Sequence, residues 1–183
     1  MFISKEELIE KLKTVELLSV DMDGTLTDGG MYLDENNNAI KMFYAHDGTG
    51  LQMVKKLGVK IALITTSQSS IATHRAEVLG FHELIAGSNK KGEDILKLCK
   101  KLNINPQNAV HMGDDVNDIL GFQAVGIPIA VANSSDVILD YAIYQTQKRG
   151  GFGAVREICD LILLAKTGKL YGPPYIEMEE FIQ

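Results

Sequence analysis

Short apolar segments alternate along this chain with longer stretches in which apolar residues recur every three or four positions. Strands that alternate with helices predict βαβ units and a parallel sheet. The predicted strands are Leu17–Val20, Val59–Thr65, Leu84–Ala86, Ala109–Met112, Ile127–Val131 and Ala142–Thr146. The predicted helices are Ser4–Thr14, Gly50–Leu57, Ser70–Leu79, Gly92–Leu102, Asn117–Val125, Asp136–Leu139 and Gly153–Thr167. The sequence therefore predicts an α/β fold with a doubly wound parallel sheet.

An insertion follows the first predicted strand. Residues Gly29–Ala45 are predicted to form a β-hairpin, with strands at Met31–Leu33 and Ile40–Ala45 around a polar turn. The second of these strands is apolar on both faces, and Lys41 is its one polar residue. We expect one face to pack against the sheet and the other against a second subunit, because exposed apolar patches mark interfaces. No other insertion is large enough for a second domain, so residues 1–183 are predicted to form one domain that ends in an irregular tail at 168–183.

The formal net charge of −6 argues against nucleic acid or an anionic membrane as a partner. An anionic substrate would then have to be attracted by a metal ion, a lysine or a helix terminus. The two cysteines, Cys99 and Cys159, lack the spacing of a metal site and are expected to be free thiols. Residues Met1–Val15 lack the apolar core of a signal peptide, and no apolar run is long enough to cross a membrane. We therefore expect a cytoplasmic protein.

Carboxylates cluster directly after two of the predicted strands. Asp21 and Asp23 follow the first strand, and side chains two residues apart in an extended segment point the same way. They should emerge at the carboxyl end of the strand, where open α/β sheets bind ligands. Asp114 and Asp115 follow a later strand in the same manner. Like charges this close repel each other, so a bound cation is expected; a solvated Asp-rich turn is the alternative.

The chain carries four motifs that resemble those of the haloacid dehalogenase superfamily of phosphotransferases. Asp21–Thr27 matches the first motif, DxDGTLT, and Gly113–Asp118 matches the fourth, GDDxxD. Thr65, at the end of the second strand, aligns with the second motif, and Lys91, which precedes a helix, aligns with the third. The resemblance covers nearly the whole chain and implies a Rossmann-like sheet, here without a cap domain.

The resemblance implies a role for each motif residue. Asp21 would be the nucleophile that forms an aspartyl-phosphate, and Asp23 would be the general acid and base. An Asp rather than a Thr at this second position favours the hydrolysis of phosphoesters. The Thr65 hydroxyl would bind a phosphoryl oxygen, and the ammonium group of Lys91, which we favour over Lys90, would neutralise the phosphoryl group.

Mg²⁺ is the cofactor that the resemblance implies, and hard carboxylate and carbonyl oxygens suit this ion. Asp21, Asp114 and the backbone carbonyl of Asp23 would bind it. Asp115 and Asp118 would orient water ligands or the loop backbone.

Within the superfamily, the chain resembles the 3-deoxy-D-manno-octulosonate 8-phosphate phosphatases and their sialic-acid 9-phosphate relatives. The resemblance depends on the missing cap domain, the early hairpin and the sequence of Gly150–Glu157. It implies a small phosphorylated sugar acid as the substrate. It also implies a homotetramer in which hairpins pack together and a neighbouring subunit covers the open active site.

Four residues are the candidate substrate contacts: Thr66, Asp47, Gly151 and Gly153. Free amide groups in the glycine cluster (Gly150, Gly151 and Gly153) would form an anion site at the start of the last helix. A flexible loop is the alternative. Asp47 is also expected to cap the helix Gly50–Leu57.

Two positions depart from the octulosonate pattern. The chain has Thr65-Thr66-Ser67 where those enzymes usually have Thr-Gly-Arg, and Phe152 where they tend to have a charged residue. Both differences remove cations that could meet a sugar-acid carboxylate. The resemblance makes an octulosonate 8-phosphate the first candidate substrate. These two departures make a nonulosonate 9-phosphate the second.

A receiver-type phosphoacceptor domain also combines Asp, Thr, Lys and Mg²⁺ on a doubly wound sheet. Receivers place their acidic pair before a separate phosphorylated Asp on a later strand. Here Asp21 and Asp23 lie on the first strand and the second acidic pair comes late, which favours an enzyme. An inactive binding protein on the same fold is disfavoured because all four motifs are intact.

Overall fold

The computed structural model describes residues 1–169, so most of the predicted tail at 168–183 lies outside the described residues. Within that range the strands are β1 (Leu17–Val20), β2 (Tyr32–Leu33), β3 (Ala39–Ile40), β4 (Lys60–Thr65), β5 (Glu83–Ala86), β6 (Ala109–Gly113), β7 (Ile127–Ala130) and β8 (Tyr144–Gln145). The α-helices are α1 (Lys5–Leu12), α2 (Ala45–Lys56), α3 (Ser70–Val78), α4 (Lys91–Leu102), α5 (Ile119–Gln123), α6 (Asp136–Leu139) and α7 (Ala154–Thr167). None of the helices described is both long and apolar enough to cross a lipid bilayer.

The main sheet has six strands in the order β5-β4-β1-β6-β7-β8, and every neighbouring pair is parallel. Strand β1 lies near its centre, with Val20 opposite Leu63 of β4 and Met112 of β6. The chain proceeds to one side of β1 as far as β5 and then crosses to the other side to begin β6. Such a reversal opens a crevice at the carboxyl ends of the strands. The predicted α/β fold with a parallel sheet is confirmed.

Helices cover both faces of the sheet. Successive side chains of each strand point to opposite faces, as an extended chain requires. Leu18 and Val20 of β1 belong to the larger core cluster, with residues of α1, α2, α3 and α7. Leu17 faces the other way and packs with α4. Ser19 of β1 lies beside His111 of β6 in the sheet register, so two polar side chains lie within the buried sheet.

The hairpin is shorter than predicted. Its strands are β2 and β3, and the predicted second strand at Ile40–Ala45 is wrong beyond its first residue. After Ile40 the chain turns back to the sheet, where Phe43 forms an isolated bridge with Thr27 and packs against the larger core cluster. Burial of this aromatic side chain stabilises the turn in place of further hairpin pairing.

Helix α2 begins at Ala45 rather than at Gly50, so the prediction that Asp47 caps it is wrong. Gly50, the predicted first residue of this helix, serves close packing inside it instead. A Cβ atom on Gly50 would lie 2.9 Å from Cβ of Cys159 and from Cδ of Arg156, both on α7. Helices α2 and α7 approach this closely because the position has no side chain.

Candidate active site

The motif residues converge at the carboxyl ends of the central strands. Asp21 directly follows β1, and its amide donates a 2.9 Å hydrogen bond to the carbonyl of Met112 on β6. Asp114 directly follows β6, and Thr65 is the last residue of β4. Parallel pairing of these three strands therefore brings the predicted first, second and fourth motifs to one edge of the sheet.

Lys91 is the first residue of α4, and its side chain is 1% exposed. Its Nζ lies 2.6 Å from Oδ1 of Asp21 and 2.6 Å from Oδ1 of Asp118. Although burial lowers the pKa of Lys91, the charges of the two carboxylates raise it above its ordinary value, and the side chain stays an ammonium. Lys90 is exposed and pairs with Glu93, so Lys91 is the lysine that lies in the cluster.

Asp21 and Asp114 are held where carboxylates resist ionisation. Burial and the charge of Asp118 raise the pKa of Asp21 well above its ordinary value. Burial, with a further contribution from Asp118, raises the pKa of Asp114 to about 7. One ligand oxygen from each of these three residues lies within 4.8 Å of the other two. A divalent cation would stabilise the ionised carboxylates, and their hard oxygens suit Mg²⁺.

Asp118 is occupied by donors from the protein itself. Its Oδ1 contacts Lys91 and Nε2 of His111, and its Oδ2 accepts hydrogen bonds from the amides of Asp114 (3.1 Å) and Asp115 (3.5 Å). Although burial raises it, the bonds from His111 and Lys91 lower the pKa of Asp118 to about 2. This occupancy leaves Asp21 and Asp114 as the carboxylates for a metal ion, with Asp118 as an organiser of the loop.

Gly24 brings the loop after β1 (residues 21–28) against Asp114. Its φ of +88° is a conformation that favours glycine, and a Cβ atom there would lie 2.0 Å from Oδ2 of Asp114. The glycine of the first motif is therefore required by the close approach of the two acidic segments.

Asp23 lies on the open side of the cluster, with its side chain 41% exposed. It forms an ion pair with Lys41, which leaves the hairpin just after β3 and is 12% exposed. The predicted strand pattern singled out Lys41 as polar, but the contact with Asp23 depends on the turn after Ile40 and could not be predicted.

Three further predicted residues differ in their surroundings. Thr65 is buried, and its hydroxyl oxygen accepts a hydrogen bond from the amide of Ser67 (3.1 Å), which leaves its proton available to a ligand. Thr66 is exposed beside it. Asp115 is also exposed and caps the following turn by accepting a hydrogen bond from the amide of Val116 (2.8 Å).

The structure does not provide the open anion site predicted at the glycine cluster. The amide of Gly151 donates to the carbonyl of Thr25 (3.2 Å), and a Cβ atom on Gly151 would lie 2.3 Å from the amide nitrogen of Asp28. The amide of Gly153 is engaged by Asp47. The backbone of the cluster instead packs against the backbone of the loop after β1. Only glycines permit an approach this close.

Asp47 is a buried cap of α7 rather than an exposed substrate contact. Its Oδ1 accepts a 2.7 Å hydrogen bond from the amide of Arg156, in the first turn of that helix. Its Oδ2 is buried and has no hydrogen-bond partner among residues 1–169. Burial raises the pKa of Asp47 to about 6, although the amides of Arg156 and Gly153 oppose this shift. The carboxylate is thus an internal anion for the helix terminus that was expected to bind a ligand.

Asn133, Ser19 and His111 were missed in the sequence. Asn133 accepts a hydrogen bond from the amide of Gly150 (2.6 Å) and donates one to the carbonyl of Gly24 (3.4 Å). It therefore joins the glycine cluster to the loop after β1. His111 is fully buried between Ser19 and Asp118. The signal for this pair was the presence of polar residues inside two apolar strands that the topology places side by side.

Comparison with known proteins identifies the family. A model of the haloacid dehalogenase-like hydrolases matches residues 51–155, more than half of the chain. The chain belongs to the haloacid dehalogenase-like hydrolases. The 3-deoxy-D-manno-octulosonate 8-phosphate phosphatase KdsC of Escherichia coli K12 is 37% identical over 164 residues, which are 90% of this chain and 87% of that protein.

Solved structures of similar proteins agree with this hydrolase fold. The phosphatase of the same name from Moraxella catarrhalis, in complex with magnesium, phosphate and KDO, is 34% identical with a TM-score of 0.86, over 97% of this chain and 99% of that one. A hypothetical protein from Xanthomonas campestris is 35% identical with a TM-score of 0.87 over 100% of both chains. Asp21 and Asp23 precede the range matched by the hydrolase family model, but the full-length alignment with the Xanthomonas protein includes them.

Proposed function

We propose that this hydrolase is a Mg²⁺-dependent phosphatase that cleaves the phosphate monoester of a sugar acid, with 3-deoxy-D-manno-octulosonate 8-phosphate as the first candidate substrate. The names of the relatives from E. coli and M. catarrhalis, and the magnesium, phosphate and KDO in the structure of the latter, support this proposal. The observation that carries it is the 2.6 Å contact between Asp21 and Lys91, next to Asp114 at the end of the central strands.

Asp21 acts as the nucleophile in this proposal. One of its oxygens forms a bond to phosphorus, the bond between phosphorus and the sugar oxygen breaks, and Asp23 gives its proton to that leaving oxygen. Asp23 then takes a proton from water, whose oxygen displaces Asp21 and releases phosphate. Lys91 keeps positive charge beside Asp21 while the two anions approach, and Thr65 donates its free hydroxyl proton to a phosphoryl oxygen.

Mg²⁺ would be held by Asp21, Asp114 and the backbone carbonyl of Asp23. When bound, it supplies positive charge against the phosphoryl oxygens. The convergence of Asp21 and Asp114 supports this assignment, because one ligand oxygen of each lies within 4.8 Å of the other and carboxylate oxygens suit this ion. Asp115 and Asp118 hold the loop that carries Asp114.

A nonulosonate 9-phosphate is the second candidate substrate. The end of β4 continues as Thr66-Ser67 where the octulosonate enzymes usually carry an arginine, and Phe152 is 50% exposed where they tend to carry a charge. The rim of the site therefore lacks two cations that could meet the carboxylate of an octulosonate. A substrate with a different chain length and acyl group would make different contacts at these positions.

We propose that the protein is a homotetramer whose hairpins pack together and whose neighbouring subunit covers the active site. Met31, Tyr32, Leu33 and Ile40 of the hairpin are between 48% and 86% exposed. Contiguous apolar side chains of this kind mark protein interfaces. Sedimentation at micromolar concentration should give a tetramer, and Leu33→Asp should dissociate it; a wild-type monomer would refute the assembly.

A single domain and a cytoplasmic location complete the proposal. Cys99 and Cys159 are buried free thiols. Reduced thiols persist in the cytosol.

The activity is tested by phosphate release from 3-deoxy-D-manno-octulosonate 8-phosphate, a nonulosonate 9-phosphate and a generic aryl phosphate. Turnover should require Mg²⁺, stop with a chelator and be lost in Asp21→Asn. Preference for the octulosonate supports the first candidate, and preference for the nonulosonate supports the second. A receiver domain would instead take up one phosphoryl group from a donor without multiple turnovers, and that result would contradict the proposal.

A further inference from the structure

A buried hydrogen-bonded series leads from the interior of the sheet to the proposed nucleophile. Ser19 Oγ lies 3.0 Å from Nδ1 of His111, and Nε2 of His111 lies 3.1 Å from Oδ1 of Asp118. The same oxygen of Asp118 lies 2.6 Å from Nζ of Lys91, which contacts Asp21. All five residues are at most 2% exposed. The series therefore has no bulk water to replace a missing partner.

We propose that His111 is a positioning residue, which donates from Nε2 to Asp118 and holds it so that Lys91 stays directed at Asp21. The role of Lys91 in turnover belongs to the proposed function, and the kinetic part of this inference rests on it. The hydrogen-bond assignment of the ring depends on the structure alone.

The assignment follows from the number of protons available. A carboxylate has no proton, so Asp118 requires His111 to donate from Nε2. A neutral ring then has a bare Nδ1, and the Ser19 hydroxyl is the group at 3.0 Å that can donate to it. The opposite tautomer would place a lone pair on Nε2 against the Asp118 carboxylate. In a charged ring both nitrogens would donate, and the Ser19 proton would turn to the carbonyl of Val110, 2.9 Å away.

The surroundings of His111 favour the neutral ring and fix its plane. Burial lowers the pKa of His111, although Asp118 opposes this shift. A Cβ atom on Gly121 would lie 2.5 Å from Cδ2 of the ring, so α5 lies directly against it. The ring of Phe122 meets it edge-on, with centroids 5.8 Å apart. The imidazole therefore cannot rotate away from Asp118 without moving α5.

The position of Asp118 determines two parts of the site. Its Oδ1 supports Lys91, and its Oδ2 accepts from the amide of Asp114, which carries a proposed metal ligand. Outer residues that orient such groups typically contribute 10- to 100-fold to metal affinity or activity. Loss of the His111 donor would let Asp118 and both of its partners move.

The tautomer is tested by nitrogen NMR of the whole protein at neutral pH. The chain has four histidines, and comparison with the spectrum of His111→Gln assigns the signals of His111. We expect a proton on Nε2 and a bare, hydrogen-bonded Nδ1, and Ser19→Ala should shift the Nδ1 signal. A bare Nε2 would overturn the inference. This measurement does not require that the protein hydrolyse any phosphate.

Positioning is tested with a matched pair of variants. In His111→Gln the amide nitrogen occupies the place of Nε2 and can donate to Asp118, whereas in His111→Asn it ends near the place of Nδ1 and cannot reach. We expect His111→Asn to lower kcat about 10- to 100-fold with little change in KM, and His111→Gln to restore most of kcat. Equal losses in the two variants at equal thermal stability would show a structural role only and refute positioning. Absence of turnover in the wild type would refute the proposed function, while the NMR result would still decide the tautomer.

Discussion

The two sides of the candidate site are built differently. On the buried side, Asp21, Lys91 and Asp118 are at most 3% exposed as side chains, and Nζ of Lys91 lies 2.6 Å from an oxygen of each carboxylate. On the open side, the side chain of Asp23 is 41% exposed, and its partner Lys41 comes from the hairpin. The buried side is completed by the sheet and α4, while the open side is bounded by a segment whose apolar residues face solvent.

This difference separates the chemistry of the site from its specificity. Buried charges must be paired, so a change to one of them affects the fold and the reaction together. Partly exposed charges are screened by water and contribute little to stability, so changes there should act mainly on substrate binding. The comparison therefore predicts large effects on the buried side, and smaller effects on the open side that depend on the substrate.

The largest effect is expected for Lys91→Met. The substitution leaves Asp21 and Asp118 buried without their shared cation, and we expect a loss of about 10³-fold or more in kcat together with about 3–5 kcal/mol of the free energy of unfolding. Phosphate release and urea unfolding measure the two effects. Lys90→Met is the control, because Lys90 is exposed and pairs with Glu93 outside the cluster. If the two variants had similar activity, Lys91 would have no part in the reaction.

The next largest effect is expected for Gly24→Ala. The new Cβ atom would lie 2.0 Å from Oδ2 of Asp114 and would separate the two acidic segments. A displacement of about 1 Å costs on the order of 10²-fold in rate, and Mg²⁺ affinity measured by calorimetry should fall as well. Gly58→Ala isolates the backbone strain, since Gly58 has a similar φ of +84° and nothing within 4 Å of the new atom. Equal losses of rate and of Mg²⁺ affinity in both variants would show that backbone strain, and not the contact with Asp114, causes the effect.

The buried side was largely predictable from the sequence because its residues are fixed by strands. The register of β1, β4 and β6 determines where Asp21, Thr65 and Asp114 emerge, and each strand was marked by a short apolar run. Lys91 was predictable because it starts a helix of recognisable length. His111 was not, because a histidine inside a strand shows its meaning only when the neighbouring strand supplies Ser19.

The open side was less predictable because it depends on tertiary contacts. The apolar residues after Ile40 fit a strand pattern, yet burial of Phe43 against the core turns the chain toward Asp23. Asp47 and the glycine cluster suggested a helix cap and an anion site. In the structure one oxygen of the Asp47 carboxylate accepts a hydrogen bond from the amide of Arg156 in the first turn of α7, and this pairing joins residues more than one hundred positions apart.

Asp47 allows a test of the scaffold that joins the two sides. Its pKa is raised from 3.8 to about 6 in the folded protein, mainly by burial, so the folded state binds the proton more tightly than the unfolded state. This contribution to stability is fully present below pH 3.8 and is lost as the pH rises through about 6. The loss amounts to about 2–3 kcal/mol, and Asp47→Asn should lack it. Urea unfolding from pH 4 to pH 7 checks the difference in slope, with the exposed Asp140→Asn as the control; parallel curves for wild type and Asp47→Asn would contradict the expectation.

The smallest effect is expected for Lys41→Met on the open side. A partly exposed ion pair is worth at most about 1 kcal/mol, so loss of the partner of Asp23 should leave the free energy of unfolding nearly unchanged. Because Lys41 is the hairpin cation that reaches the site, we expect a rise of about 10-fold or less in KM for the sugar-acid phosphate. The generic aryl phosphate lacks the sugar carboxylate and should show no such rise, and it therefore serves as the matched substrate control. A loss in kcat as large as that of Lys91→Met, with both substrates, would place Lys41 with the buried side and remove the distinction between the chemistry of the site and its specificity.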